Sequence, residues 1–233
     1  MRGLGTIVNV ATVLAGAVIG LVVGHRLPER LRLIALQGVG LVTLVLGVQE
    51  ASRTRNLAFP LGSVVLGGLV GEALGIEDGL ERLGHRFQQI AAKHSGTGQH
   101  ETFAEGFVTA TLIFCVGPLT ILGSISDGLG LGAQQLFVKS ALDGTVAVVL
   151  ASTLGAGVAL SAVSVLVIQG LLTVAAAGLH AVLTGRMIAE TTATGGTMIV
   201  GIALRILEIK RVRVGSFLPA LVIAPVAVAL LAR

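Results

Sequence analysis

Long apolar runs recur along most of this chain, and they constrain its fold more than any other feature. Each run is close to the ~20 residues that a helix needs to cross a bilayer. The break between the fifth and sixth runs is the weakest, so seven spans are an alternative to eight. The sequence therefore predicts an all-α fold, a polytopic transmembrane helix bundle. The candidate spans are residues 4–24, 33–50, 58–75, 105–125, 141–158, 162–183, 188–207 and 215–232.

The composition excludes a water-facing globular fold. Hydrophobic residues make up 54% of the chain and charged residues only 12%, whereas a soluble domain carries about a quarter charged residues. The first run has no convincing small-residue cleavage site before Arg26, which predicts a retained helix rather than a signal peptide. We expect residues 1–233 to form a single transmembrane domain whose main partner is the lipid bilayer.

The basic residues are scattered through short loops instead of forming a patch. The net charge is +4, but a scattered distribution is typical of residues that set membrane orientation, so we expect no nucleic-acid partner. A modest excess of lysine and arginine in alternate loops favours both termini outside. The longest polar stretch, residues 77–104, follows the third span. Apolar residues at helical spacing predict an amphipathic helix there, followed by a linker.

Two similar stretches place acids and hydroxyls among the apolar runs: "EGFVTAT" from residue 105 and "ETTATGG" from residue 190. A carboxylate inside a span is costly unless it is paired or faces a cavity. We expect the two stretches to meet from oppositely directed helices in one polar site, with a glycine pair that admits a ligand closely. The alternative is that both glutamates are ordinary helix starts at the headgroup level. The residues are Glu105, Thr109, Thr111, Glu190, Thr192, Thr194, Gly195 and Gly196.

Further polar features lie between these stretches. Gly117-Pro118 falls inside the fourth span, where proline removes a helix hydrogen bond, so we expect a broken helix that lines a cavity. Lys139 and Asp143 are four residues apart, the spacing of a helical ion pair. An interfacial pair at a helix start is the alternative. Gln169 lies in an apolar run and is a further candidate for the site, although such residues also serve as hydrogen bonds between helices.

Internal similarity and glycine spacing carry two further predictions. The second and third spans resemble the seventh and eighth, which suggests the inverted repeat found in many secondary transporters. Gly16, Gly20 and Gly24 form a smooth ridge on the first span. Such ridges let helices pack closely, and we expect this one to join two copies in a homodimer unless it packs inside the chain.

At these residues a family resemblance emerges. The blocks "GTIVNVATVLAGAVIG", "FVTATLIFCVGPLTILGSISDGL", "LFVKSALDG", "ASTLGAGV", "IQG", "ATGGTMIVGIAL" and "LPAL" span nearly the whole chain. Together they resemble the bacterial inner-membrane family known as domain of unknown function 554, or YdfK-like. The resemblance implies a multi-pass protein of the bacterial plasma membrane. The resemblance does not identify a substrate or any catalytic residues.

The sequence favours a secondary transporter or facilitator of a small solute or ion. An oligomeric ion channel would use the same hydroxyl and backbone groups, and a structural or regulatory membrane subunit would need none of them. An intramembrane enzyme is not expected, because neither HExxH nor GxSxG occurs. We therefore expect no catalytic residues, no metal and no cofactor.

Overall fold

The computed structural model describes residues 2–24, 28–79, 82, 100–115 and 117–231. This part of the chain contains helices and no strands, which confirms the all-α prediction. The helices are α1 (Leu4–Gly24), α2 (Glu29–Ala51), α3 (Ala58–Ala73), α4 (His100–Cys115), α5 (Pro118–Gly128), α6 (Gln134–Leu154), α7 (Gly157–Val174), α8 (Ala176–Val182), α9 (Gly185–Ile206) and α10 (Ala220–Leu231), with a 3-10 turn at Val214–Phe217.

Six helical segments of the described chain are long and apolar enough to cross a membrane, and the bent pair α4–α5 makes a seventh if it is one span. The apolar helix α3 is shorter, with 16 residues. Large apolar side chains cover the outer faces of these helices: Val18, Leu69 and Leu171 are each more than half exposed. A surface of this kind suits lipid and not water.

The break between α6 and α7 lies earlier in the chain than the sequence predicts. The helix α6 begins at Gln134, where the apolar run was expected to begin at residue 141, and α7 begins at Gly157. The polar residues at the start of α6 are accommodated because several of them turn inward, including Lys139 and Ser140. Gly155 ends α6 with a φ of 80°, a left-handed conformation that favours glycine.

Neighbouring helices reveal the direction of each pass. Gly5 lies against Leu136, and Gly16 lies against Ala147, so α1 and α6 run side by side in the same direction. We call the end where both begin the upper end, and the opposite end the lower end. The helix α7 starts at the lower end, where Gly157 lies against the first turns of α4.

The helices form two groups. The first sub-bundle contains α1, α4, α5, α6, α7 and α8, and the second contains α2, α3, α9, the 3-10 turn and α10. Among the described residues, the main contacts across the seam between them are those of α2 with α6 and of α9 with α4 and α5. Each group is therefore packed more extensively within itself than against the other.

The glycine ridge of α1 packs inside the chain. A methyl group added to Gly16, Gly20 or Gly24 would collide with backbone carbonyls of α6. The small residues let the two parallel backbones approach closely. The ridge is therefore not available for the dimer contact predicted from it.

The fourth span is broken, as the sequence predicts. The axes of α4 and α5 differ by 61°, and Gly117 caps α5 in an extended conformation immediately before Pro118. The hydroxyl of Thr120 donates to the Phe114 carbonyl at 3.0 Å. This hydrogen bond satisfies a backbone group that the interrupted helix would otherwise leave free.

Most of the amphipathic helix and linker predicted for residues 77–104 lies outside the described residues. At its edges, residues 76–79 are helical, and α4 already begins at His100. The pairs proposed as an inverted repeat, α2–α3 and α9–α10, lie together in the second sub-bundle. There α2 packs against α9 and α3 against α10. The repeat itself stays a prediction.

A buried polar layer as candidate functional site

The two glutamate-threonine stretches do not meet. Glu190 lies near the upper end of α9, where its carboxylate accepts hydrogen bonds from Thr54 Oγ1 at 2.5 Å and the Arg55 amide at 2.9 Å. Glu105 lies near the lower start of α4, 3.5 Å from Nε of Arg205. About 22 Å of helix separates Glu190 from Arg205, at 1.5 Å per residue. The predicted convergence is wrong, because oppositely directed helices begin at opposite ends of the bundle.

The threonines of the two stretches are also dispersed. Thr111 Oγ1 donates to Ser164 Oγ at 3.1 Å and joins α4 to α7. Thr194 Oγ1 donates at 2.7 Å to the carbonyl of Glu190 on its own helix. Thr192 is buried, and its hydroxyl has no hydrogen-bond partner. These residues do not share one binding site.

The glycine pair of the second stretch serves helix packing. Gly195 and Gly196 are both buried in α9. A methyl group on Gly196 would collide with the backbone of α2 near Ala51. The missing side chains therefore bring α2 and α9 together instead of admitting a ligand.

A small pocket lies on the seam at the lower end. Arg205 Nη1 is 3.1 Å from Glu77 Oε1, and the other Glu77 oxygen accepts from the Gly215 amide at 2.6 Å. Since Arg205 also faces Glu105, one guanidinium ties both sub-bundles together. The cavity volume is about 20 Å³, which is room for a water molecule rather than a solute. Its lining residues are Glu77, Ala104, Glu105, Val108, Thr109, Ile202, Arg205 and Val214.

The ion pair predicted from sequence spacing is confirmed, and it is deeply buried. Lys139 and Asp143 on α6 form a salt bridge, and they are 4% and 7% exposed. Asn9 Nδ2 of α1 donates to the same Asp143 oxygen at 3.0 Å. Asp143 lies about 14 Å along α6 from its first residue. The pair is therefore inside the bundle, and the alternative of an interfacial pair at a helix start does not hold.

Three neutral side chains of the same sub-bundle are fully buried and carry polar atoms that lack a hydrogen-bond partner. They are Ser124 Oγ, Asn9 Oδ1 and both amide atoms of Gln169. The orientation of Asn9 is fixed because its amide nitrogen must face the Asp143 carboxylate, so its oxygen turns elsewhere. Each unpartnered group costs about 1–3 kcal/mol of folding free energy.

Asn9 and Gln169 lie at one level of the bundle. Higher up, the hydroxyls of Thr6 and Thr173 are 3.5 Å apart and join α1 to α7. Because these helices run in opposite directions, one turn toward the lower end leads from Thr6 to Asn9 and from Thr173 to Gln169. Residues one turn apart share a helix face, so we infer from this register that both amides face the same region of the bundle.

Ser124 joins them by the same geometry. Gly128 of α5 lies directly against the Thr173 carbonyl of α7. One turn below this contact lie Ser124 on α5 and Gln169 on α7. We call the five residues of this level the polar layer: Asn9, Ser124, Lys139, Asp143 and Gln169.

The layer combines one cation, one anion and unused hydrogen-bonding groups in a place without solvent contact. Such groups can bind a polar molecule by ion pairing and hydrogen bonding. No group of three or more His, Cys, Asp and Glu side chains suited to a metal occurs among the described residues. Unsatisfied groups in an otherwise well-packed protein are expected at functional positions.

The sequence identifies this layer only in part. Lys139, Asp143 and Gln169 were predicted as site residues, and Gly117 and Pro118 belong to the break at the start of α5, four to seven residues before Ser124. Asn9 and Ser124 were missed as site members. Ser124 is a single small polar residue in "ILGSISDG", and nothing local distinguishes it from a hydroxyl bonded to its own helix.

A bundle of apolar-faced helices that buries a polar layer is a multi-pass membrane protein. The chain belongs to the family described as "Protein of unknown function (DUF554)", whose match covers residues 4–229. It is 32% identical over 221 residues to "Uncharacterized protein YqgA" of Escherichia coli (strain K12), covering 95% of this chain and 94% of the relative. It is 31% identical over 228 residues to "Uncharacterized membrane protein YdfK" of Bacillus subtilis (strain 168), covering 96% and 95%. No solved structure matches the chain.

Proposed function

We propose that this protein is a secondary transporter or facilitator of the bacterial inner membrane that passes a small solute or ion through the polar layer. The observation that carries the proposal is the buried Lys139–Asp143 pair together with the unpartnered amide oxygen of Asn9 and the unpartnered amide group of Gln169. Intramembrane charges are rare because they are costly, and they mark substrate and ion pathways in many membrane proteins.

The break between α4 and α5 supports this function. Interrupted helices are a recurring element of transporter sites, because they can shift without unfolding a whole span. The helix α5 carries Ser124 of the layer and also contacts α9 across the seam. A relative movement of the two sub-bundles would therefore change the surroundings of the layer.

The proposal excludes an enzymatic role and includes no cofactor. A homodimer is part of it only through surfaces other than the α1 ridge. The competing functions, an oligomeric ion channel and a regulatory subunit, differ from a transporter in what they do to a sealed vesicle. A channel conducts without saturation at modest concentration, and a regulatory subunit moves nothing.

The test is uptake by proteoliposomes of four labelled probes: sodium, acetate, methylammonium and glycine. The parent should take up at least one of them saturably. The double variant Lys139→Met/Asp143→Leu, which removes both charges together, should stay folded and take up none of them. Gly62→Ala is the matched control, since nothing lies within 4 Å of the added methyl group. Equal uptake by parent and double variant would refute the proposal.

A further inference from the structure

The charges of the polar layer are balanced one to one. Lys139 supplies the cation and Asp143 the anion, and both residues are less than 10% exposed. In a medium of low dielectric constant, a buried charge without a counter-charge is strongly unfavourable. A ligand with a net charge would therefore leave one charge in the layer uncompensated, whereas a ligand with no net charge would not.

The unused hydrogen-bonding groups favour a particular kind of neutral ligand. An ammonium group donates three hydrogen bonds and accepts none. The layer offers it the free oxygens of Asn9 and Gln169 in addition to the Asp143 carboxylate. A carboxylate group only accepts, and the layer offers it the Gln169 amide nitrogen, the Ser124 hydroxyl and the Lys139 ammonium.

We propose that the ligand of the polar layer is a small zwitterion whose ammonium and carboxylate groups are bonded to the same carbon, as in an α-amino acid. This inference rests on the proposed function and names the substrate class of the same site. The ligand exchanges partners with the Lys139–Asp143 pair: its ammonium faces Asp143 and its carboxylate faces Lys139. One ion pair becomes two, and the layer stays neutral throughout.

Four probes of similar size and different charge test the inference. Glycine is the zwitterion, acetate the anion, methylammonium the cation and acetamide the uncharged control. Thermal unfolding of the purified protein in detergent at pH 7 should respond to glycine alone. At about a hundredfold excess over the dissociation constant, the midpoint should rise by about 5 °C or more.

The double variant Lys139→Met/Asp143→Leu should unfold cooperatively and show no response to glycine. The same four probes are then offered to proteoliposomes. Saturable uptake of acetate or methylammonium without glycine would overturn the zwitterion and leave transport through the layer standing. An equal effect of acetamide and glycine would also overturn it, because the ion pair would then take no part in recognition. If none of these probes binds or enters but sodium uptake is saturable, this inference alone fails. If sodium does not enter either, the proposed function fails as well.

Discussion

The two sub-bundles bury charged groups in different ways. In the second, Glu190 is fully buried, yet it accepts hydrogen bonds from the Thr54 hydroxyl and the Arg55 amide. Glu77 is likewise held by Arg205 and the Gly215 amide. In the first sub-bundle, Asp127 accepts a hydrogen bond from the Gly5 amide in a similar way. The polar layer differs, because it combines the buried ion pair of α6 with a Gln169 amide and an Asn9 oxygen that have no partner.

This difference indicates that the buried carboxylates of the second sub-bundle have a structural role and that the polar layer of the first has a functional one. A carboxylate held by a loop and a neighbouring helix acts as a clamp, and the clamps of the second sub-bundle fix α2, α3 and α9 together. Unpartnered atoms occur there too, at the hydroxyls of Ser63 and Thr192 and at Nε of Arg186. A hydroxyl is cheap to bury in a helix, and the Arg186 guanidinium lies over the Phe59 ring, 5.3 Å from its centroid. A fully buried glutamine whose amide has no partner costs more. The first sub-bundle is therefore where a ligand would recover the lost free energy.

Breaking the ion pair should have the largest effect of any single change in the first sub-bundle. Lys139→Met leaves the Asp143 carboxylate buried with Asn9 as its remaining donor. We expect the free energy of unfolding to fall by about 3–5 kcal/mol, measured by urea unfolding in detergent. The double variant Lys139→Met/Asp143→Leu should recover most of the loss. If Lys139→Met is as stable as the parent, the pair is not buried.

The next effect concerns packing within each sub-bundle. Gly20→Ala forces a methyl group onto a carbonyl of α6 in the first sub-bundle. Overpacking of this kind should cost about 1–3 kcal/mol. Gly62→Ala in the second sub-bundle has open space, and it should be neutral or stabilising by up to ~1 kcal/mol, since alanine favours helix. If Gly20→Ala instead abolished dimer formation and left the stability of the monomer unchanged, the α1 ridge would be a contact between subunits.

Substitution of Glu190, the clamp between α9 and the loop after α2, should lower the stability less. In Glu190→Gln, the side-chain oxygen still accepts from the Arg55 amide, and the new amide group can donate to Thr54. We expect a loss of about 1–2 kcal/mol in thermal unfolding, because a hydrogen bond to a charged group becomes one to a neutral group. Uptake should be unchanged. Abolished uptake in a folded Glu190→Gln protein would move the site into the second sub-bundle.

The smallest effect on stability should come from a substitution in the contact between the two sub-bundles. Glu105→Gln removes the charge that pairs with Arg205 across the seam and leaves the ion pair of Arg205 with the buried Glu77 in place. The side chains of Arg205 and Glu105 are 30% and 20% exposed. Partly exposed pairs contribute about 1 kcal/mol or less. Unfolding of Glu105→Gln should remain one cooperative transition. Two separate transitions would mean that this contact alone couples the sub-bundles.

The sequence predicts the fold well and the site incompletely. Run length and composition define the helices, as in α1, whose bounds Leu4–Gly24 equal the predicted span. Proline chemistry locates the break at Gly117-Pro118. The composition of the site depends on which helix faces pack against one another. The similarity between the stretches that begin at residues 105 and 190 carries no information about that packing. Glu105 and Glu190 both lie near the start of a helix. Because α4 and α9 run in opposite directions, their starts lie at opposite ends of the bundle, and the two glutamates are far apart.

Gln169→Leu tests the central claim most directly, because it separates stability from function. The substitution removes two unpartnered polar atoms from a fully buried position and keeps a similar volume. If the polar layer is kept for a ligand, the variant should be as stable as the parent or more stable, by about 1 kcal/mol, and should lose saturable uptake in proteoliposomes. A variant that is less stable than the parent and transports normally would contradict the account, because Gln169 would then be a structural residue.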